Sequence, residues 1–253
     1  MTSHMVGDTA ALTARSLRHI MRSPDTIITT TVMPIAFLLM FVYVFGGAIE
    51  TGSAPYIDYL LPGILLITIA SSIAYTAFRI FMDVTSGIFE RFQSMPIARS
   101  SVLWAHVLTS MVASAISVAV VVLVALVMGF RSGAGVLAWL AIAGILILLA
   151  LALTWLAVIA GLSAKTIDGA SAFSYPIIFL PFVSSAFVLT ATMPGPVRAF
   201  AENQPVTPIV DTVRDLYSQQ PVSTGIWVAL AWCLGLLVVA YLLAMAAYHR
   251  KTA

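Results

Sequence analysis

Few side chains in this sequence could do chemistry, and one short stretch sets several of them beside aromatic rings. Asp, Glu, Lys and Arg together make up 9% of its 253 residues. The most polar island between the long apolar runs is residues 86–99, SGIFERFQSMPIAR. In helical register Ile88, Phe92 and Met95 fall at i, i+4 and i+7 and form an apolar face, with Phe89 beside it. Glu90, Arg91, Gln93 and Ser94 take the other face. Pro96 ends the helix, because it lacks an N–H and its ring clashes one turn back. The chemistry on offer is recognition: two aromatic anchors for a groove in a soluble partner, with a Glu–Arg pair to set register at the rim. A lid lying on the lipid interface is the competing reading of the same pattern.

Catalytic chemistry finds no such cluster. Ala164-Lys165-Thr166 echoes the end of a phosphate-binding loop, but that loop needs glycine where Ala164 and Ile159 stand. The single cysteine, Cys233, sits in an apolar run, and His4, His19, His106 and His249 have no ligand spacing, so no metal is expected. No serine has a facing His or Lys that would mark an intramembrane hydrolase. What remains are uncharged polar groups on apolar segments. Thr68, Ser71, Ser72, Tyr75, Phe78, Ser184 and Ser185 are candidates to line a path for an amphiphile. Helix–helix packing explains such residues equally well.

The elements that must position these groups are membrane helices. At 61% hydrophobic residues and a mean hydropathy of +1.04, the chain has no soluble solution at this length. The net charge of +2 gives no reason to expect nucleic acid as a partner. A span needs about 20 mostly apolar residues, and six are expected, at about 27–45, 60–78, 102–128, 136–160, 172–189 and 226–248. Pro34 and Pro62 should kink the first two, and Pro176 and Pro181 should break the fifth. No Asp, Glu, Lys or Arg falls inside these six windows, which argues against a proton relay. His106, one turn into the third, is expected at the interface.

Residues 9–22 read as a basic amphipathic helix on the cytosolic leaflet. Arg15, Arg18, His19 and Arg22 oppose Leu12, Leu17, Ile20 and Met21. The N-terminus opens polar and does not read as a cleavable signal peptide. With both termini cytosolic, the inner side holds Arg15, Arg18, Arg22, Arg79, Arg91, Arg99, Lys165, Arg250 and Lys251. The outer side holds only Arg131, Arg198 and Arg214, which completes the twelve basic residues. The outer segment 190–225 shows two short apolar-periodic pieces split at Gln204-Pro205, consistent with a folded-back helix or with a plain hairpin.

Several stretches carry a resemblance. Arg22-Ser23-Pro24 stands before the first span, and FVYVFGGAI (41–49) closes it. YLLPGI (59–64) opens the second. Gly87-Ile88-Phe89-Glu90-Arg91-Phe92 with Met95-Pro96-Ile97-Ala98-Arg99 forms a cytosolic signature, and Gln204-Pro205-Val206-Thr207-Pro208 precedes the last span. Together they resemble the permease subunits of type-2 ABC exporters, of the daunorubicin-resistance-like subgroup, over nearly the whole chain. Gln204 departs from the usual Asn, and Ala98 from the usual Ser.

The resemblance implies an all-α integral membrane fold of six transmembrane helices with an N-terminal interfacial helix. A coupling helix at about 86–95 would rest on the ATPase, and the extracellular part before the last span would fold back into the outer leaflet. It implies a complex of two permeases, alike or unlike, with two ATP-binding subunits. The chain itself would need no cofactor; ATP and Mg would sit in the partner. The cargo implied is a hydrophobic or amphiphilic drug or natural product, moved outward across the inner or plasma membrane. Export of a polysaccharide or lipid-linked polymer is the alternative within the family. A non-transporting scaffold or immunity protein is the alternative outside it.

Overall fold

The computed structural model describes residues 25–46, 55–87, 99–220 and 224–252, with Thr13 alone before them. The expected interfacial helix at 9–22, with Arg15, Arg18 and Arg22, lies outside the described residues. So do Ile88, Phe89, Glu90, Arg91, Phe92, Met95 and Pro96 of the polar island. Every regular element among the described residues is helical.

Helix α1 (Asp25–Leu39) contains Pro34 and runs directly into a π-helical stretch, Met40–Phe45. Helix α2 (Tyr56–Thr85) is the axis of the fold and is buried without a break from Leu60 to Ala70. It ends where Gly87 takes a φ of 73°, a left-handed position that a side chain would strain. Helix α3 (Arg99–Val127) and helix α4 (Val136–Ser163) follow. Between them Gly129, at φ 107°, lets the Phe130 N–H reach back to the Ala125 carbonyl at 2.9 Å and close α3.

Among the described residues, helices α2, α3, α4 and the last helix, α9 (Gly225–Thr252), are the four long and apolar enough to cross a membrane. Two shorter apolar stretches stand where the first and fifth spans were expected. The fifth differs from the expected 172–189 window. It is a chain of three short pieces: α5 (Ile167–Ala172), α6 (Ser174–Phe179) and a 3-10 turn, Leu180–Val183. It starts early because Thr166 caps it, its Oγ1 accepting the Gly169 N–H at 3.0 Å. It stops early because Pro181 has no N–H to give and Ser184 turns extended. Ser184 and Ser185 therefore lie beyond the helical path.

The segment 190–225 holds two helices, α7 (Gly195–Asn203) and α8 (Val206–Tyr217), not a plain hairpin. Helices α4 and α2 approach closely at Gly161, where an added Cβ would sit 2.7 Å from the Ala77 carbonyl oxygen. Nearby, Trp155 is buried at the centre of an edge-on aromatic trio with Trp104 and Tyr241. The opposite surface of α9 exposes Trp227, Val228, Leu234, Val238, Val239, Leu242 and Leu243, as a helix facing hydrocarbon does.

Candidate functional site

Helices α2 and α3 carry the two ends of the polar island, so what binds them to each other matters most. Three side-chain pairs do so, in antiparallel register. Ser72 and Ser114 hydroxyls meet at 2.5 Å, Thr76 and Ser110 hydroxyls at 2.7 Å, and His106 Nε2 lies 3.0 Å from Asp83 Oδ2. From the first pair to the second, one turn gained along α2 is matched by one turn lost along α3; the third lies two turns further along α2 and one turn back along α3. Helix α1 joins the same seam, where Thr30 and Ser117 hydroxyls are 3.1 Å apart. Thr30, Ser72, Tyr75, Thr76, Arg79, His106, Ser110 and Ala113 enclose a cavity of about 20 Å³, room for about one water molecule. His106 is buried against its neighbours within the protein. The signal for this seam was present in the sequence: Ser72 and Thr76 on one helix and Ser110 and Ser114 on the next are all four residues apart.

The candidate pathway residues do not converge on one lining. Thr68 is buried and donates back to the Ile64 carbonyl, and Ser71, half-buried, to that of Ile67. Ser72 is committed to Ser114. Tyr75 and Phe78 lie half-buried near Ser71, their rings 6.3 Å apart, with the Arg79 guanidinium 6.0 Å from the Tyr75 ring. Ser184 and Ser185 belong to a different site. Ser184 donates to the Pro181 carbonyl, and Ser185 donates to Asp211 Oδ1 at 2.7 Å. Arg99 begins α3.

That second site is a clamp at the opposite end of the fold. The Gln204 side-chain amide donates to the Val183 carbonyl at 2.8 Å and the Leu180 carbonyl at 3.3 Å. These are carbonyls orphaned where the fifth span breaks. Thr207 accepts the Ser185 N–H and donates to the Ala201 carbonyl. Two turns further, Arg214 donates to the Tyr59 carbonyl at 3.0 Å and the Ser185 carbonyl at 2.8 Å. It pairs with Asp211 at 2.8 Å and lies 3.9 Å over the Tyr59 ring. The Tyr217 hydroxyl donates to the Asp58 carbonyl. Burial raises the Tyr217 phenol, and burial together with the neighbouring Asp211 raises the Asp215 carboxyl. The Gln-Pro-Val-Thr-Pro stretch thus ties the start of α8 to the broken span, and Arg214 and Tyr217 tie α8 to the head of α2. Gln204 performs this with one side-chain oxygen left unpaired. Among the described residues no group of His, Cys, Asp and Glu is arranged to hold a metal ion.

The ends of the molecule also separate its charges. Arg131, Arg198 and Arg214 lie at the clamp end, where Ser132 bonds Tyr217 and the Gln219 amide bonds the Gly133 carbonyl. Arg79, Lys165 and Arg250 lie at the other, around the Ile80, Leu103, Leu162 and Tyr248 cluster.

A family model described as ABC-2 type transporter matches residues 8–218. A daunorubicin resistance ABC transporter permease protein of Streptomyces coeruleorubidus is 29% identical over 255 residues, covering 96% of this chain and 89% of the relative. A probable doxorubicin resistance ABC transporter permease protein of Mycobacterium tuberculosis (strain CDC 1551 / Oshkosh) is 24% identical over 253 residues, covering 98% and 90%. The protein of the same name from strain ATCC 25618 / H37Rv matches to the same extent.

Proposed function

The chain belongs to the ABC-2 type transporter family, and from that membership we propose that it is the permease of an exporter. It moves hydrophobic or amphiphilic drugs out of the cell, driven by a separate ATP-binding subunit. The observation that carries this reading is end-to-end similarity to a daunorubicin-resistance permease. As a member of this family the chain is the transmembrane subunit and not itself an enzyme. ATP and Mg belong to the partner.

In this reading two permeases, alike or unlike, stand on two ATPases. The cytosolic coupling helix at 86–95 docks Phe89 and Phe92 in a groove of the ATPase, with Ile88 and Met95 on the same face. Glu90 and Arg91 meet its rim, Pro96 stops the helix, and Arg99 begins α3. Arg15, Arg18 and Arg22 hold the interfacial helix against the inner leaflet of the plasma or inner membrane. Both termini face the cytosol, a reading supported by the separation of basic residues between the two ends of the fold. The half-buried flank of α2 bearing Ser71, Tyr75 and Phe78 is the wall offered to cargo between protomers.

The test is copurification from native membranes in mild detergent. The wild-type chain is expected to bring down a soluble ATPase, and Phe89→Ala with Phe92→Ala to lose it while the permease still folds. Absence of any ATPase from the wild-type preparation sinks the exporter reading. Retention by the double variant sinks the role of the two rings.

A further inference from the structure

The Asp83–His106 pair stands apart from the other contacts between α2 and α3. Asp83 lies two residues before the end of α2, and His106 two turns into α3, so the pair closes the hairpin at the end where the polar island leaves it. The imidazole side chain is 9% exposed and the carboxylate 30%. Burial of apolar surface does not require this pair. Ile80, Leu103 and Val107, all fully buried, already pack the same crossing. Apolar contacts hold two helices together but tolerate sliding, whereas a buried polar pair is satisfied in one register only. The two hydroxyl pairs bind the same two helices deeper in, two and three turns from Asp83 along α2 and one and two turns from His106 along α3.

We propose that His106 is a positioning residue of transport: through Asp83 it clamps the island ends of α2 and α3, so that a push on the segment between them turns both helices as one body. Without the clamp, displacement of residues 88–98 would be absorbed by α2 and α3 sliding past each other, and hydrolysis would run without moving the pathway wall. Arg79, the other charged group lining the adjoining cavity, lies toward Tyr75 and leaves the carboxylate to His106. This proposal rests on the exporter reading, in which residues 86–95 receive the push.

The experiment uses the permease–ATPase complex in liposomes and reads drug transported per ATP hydrolysed. His106→Phe, which keeps a ring and removes the nitrogen, is expected to lower that ratio about five-fold or more, within the usual range of coupling between sites. The ATPase should still copurify. The exchange Asp83→His with His106→Asp should restore most of the ratio, which a merely space-filling role would not predict. A second arm uses Ser72→Cys with Ser114→Cys, near-isosteric changes at hydroxyls 2.5 Å apart, which keep the proposal testable where His106→Phe fails to fold. Oxidation should lock α2 to α3 and leave transport intact, because the helices never part. Wild-type coupling in His106→Phe, or transport lost on oxidation and regained on reduction, overturns the proposal alone. A wild-type chain that binds no ATPase overturns the exporter reading and the proposal with it.

Discussion

Arg214→Ala should detach α8 from the head of α2. The guanidinium is 17% exposed and serves the Tyr59 and Ser185 carbonyls at once, while stacking on the Tyr59 ring. Its pair with Asp211 adds little, because that carboxylate is 44% exposed and solvent screens it. The loss falls on the carbonyls. A hydrogen bond to a charged donor contributes about 1.5–3 kcal/mol, and the ring contact about 1 kcal/mol. Those contributions overlap, so the expected cost is about 3–5 kcal/mol, as for breaking a buried charged contact. In a chain of this length that lowers the melting temperature by about 10 °C.

The assay is thermal unfolding of the detergent-solubilised permease, with hydrogen exchange along Val206–Tyr217 to localise the change. Arg214→Lys keeps the charge but loses the planar fork, and should fall between wild type and Ala. A shift under about 2 °C for Arg214→Ala, with the α8 amides still protected, would refute the clamp. Equality of Lys with Arg would show that a point charge suffices and that the fork geometry does nothing.

Three further outcomes are expected. Gly161→Ala should cost about 1–3 kcal/mol, because the new Cβ meets the Ala77 carbonyl oxygen at 2.7 Å and the Ile80 Cβ at 2.8 Å, and neither can swing away. Gly144→Ala in the same helix meets nothing within 4 Å and should be neutral or slightly stabilising, so paired melting curves separate packing from helix propensity. Asp215→Asn should stabilise α8 at neutral pH. The folded carboxyl is raised above its ordinary 3.8 by burial and by Asp211, so its favourable contribution is present in acid and lost as pH rises through the raised value. The gap between variant and wild type should therefore widen from about pH 4 toward neutrality, and a constant gap would contradict the assigned cause.

Composition made the membrane helices legible, because runs such as α4 leave no polar face to misplace. Edges and partners were less legible. Helix α2 runs from Tyr56 to Thr85, well beyond the 60–78 window, because Asp58, Arg79 and Asp83 lower its apolar average at both ends. Those ends are where it meets Arg214 and His106. The fifth span was correctly expected to break, but its limits depend on a Thr166 cap and a Gln204 clamp that hydropathy does not register. The α2–α3 pairs depend on register: Ser72 has Ser110 and Ser114 both in prospect, and only the packed structure selects Ser114. The Asp83–His106 pair was not legible because Asp83 lies outside the apolar window that defined the span.

The hydroxyl seam also bears on how the chain is made. Of the four long helices, α2 is the least apolar and the most enclosed by protein. Leaving the ribosome alone, it would offer lipid the side chains of Ser72, Thr76 and Asp83 with no partner yet synthesised. Its partners arrive soon after, on α3, whereas the arginine that caps its other end lies 155 residues downstream of Tyr59. A helical hairpin of α2 and α3 is therefore the natural unit of membrane insertion. The head of α2 stays unfinished until α7 and α8 close over it.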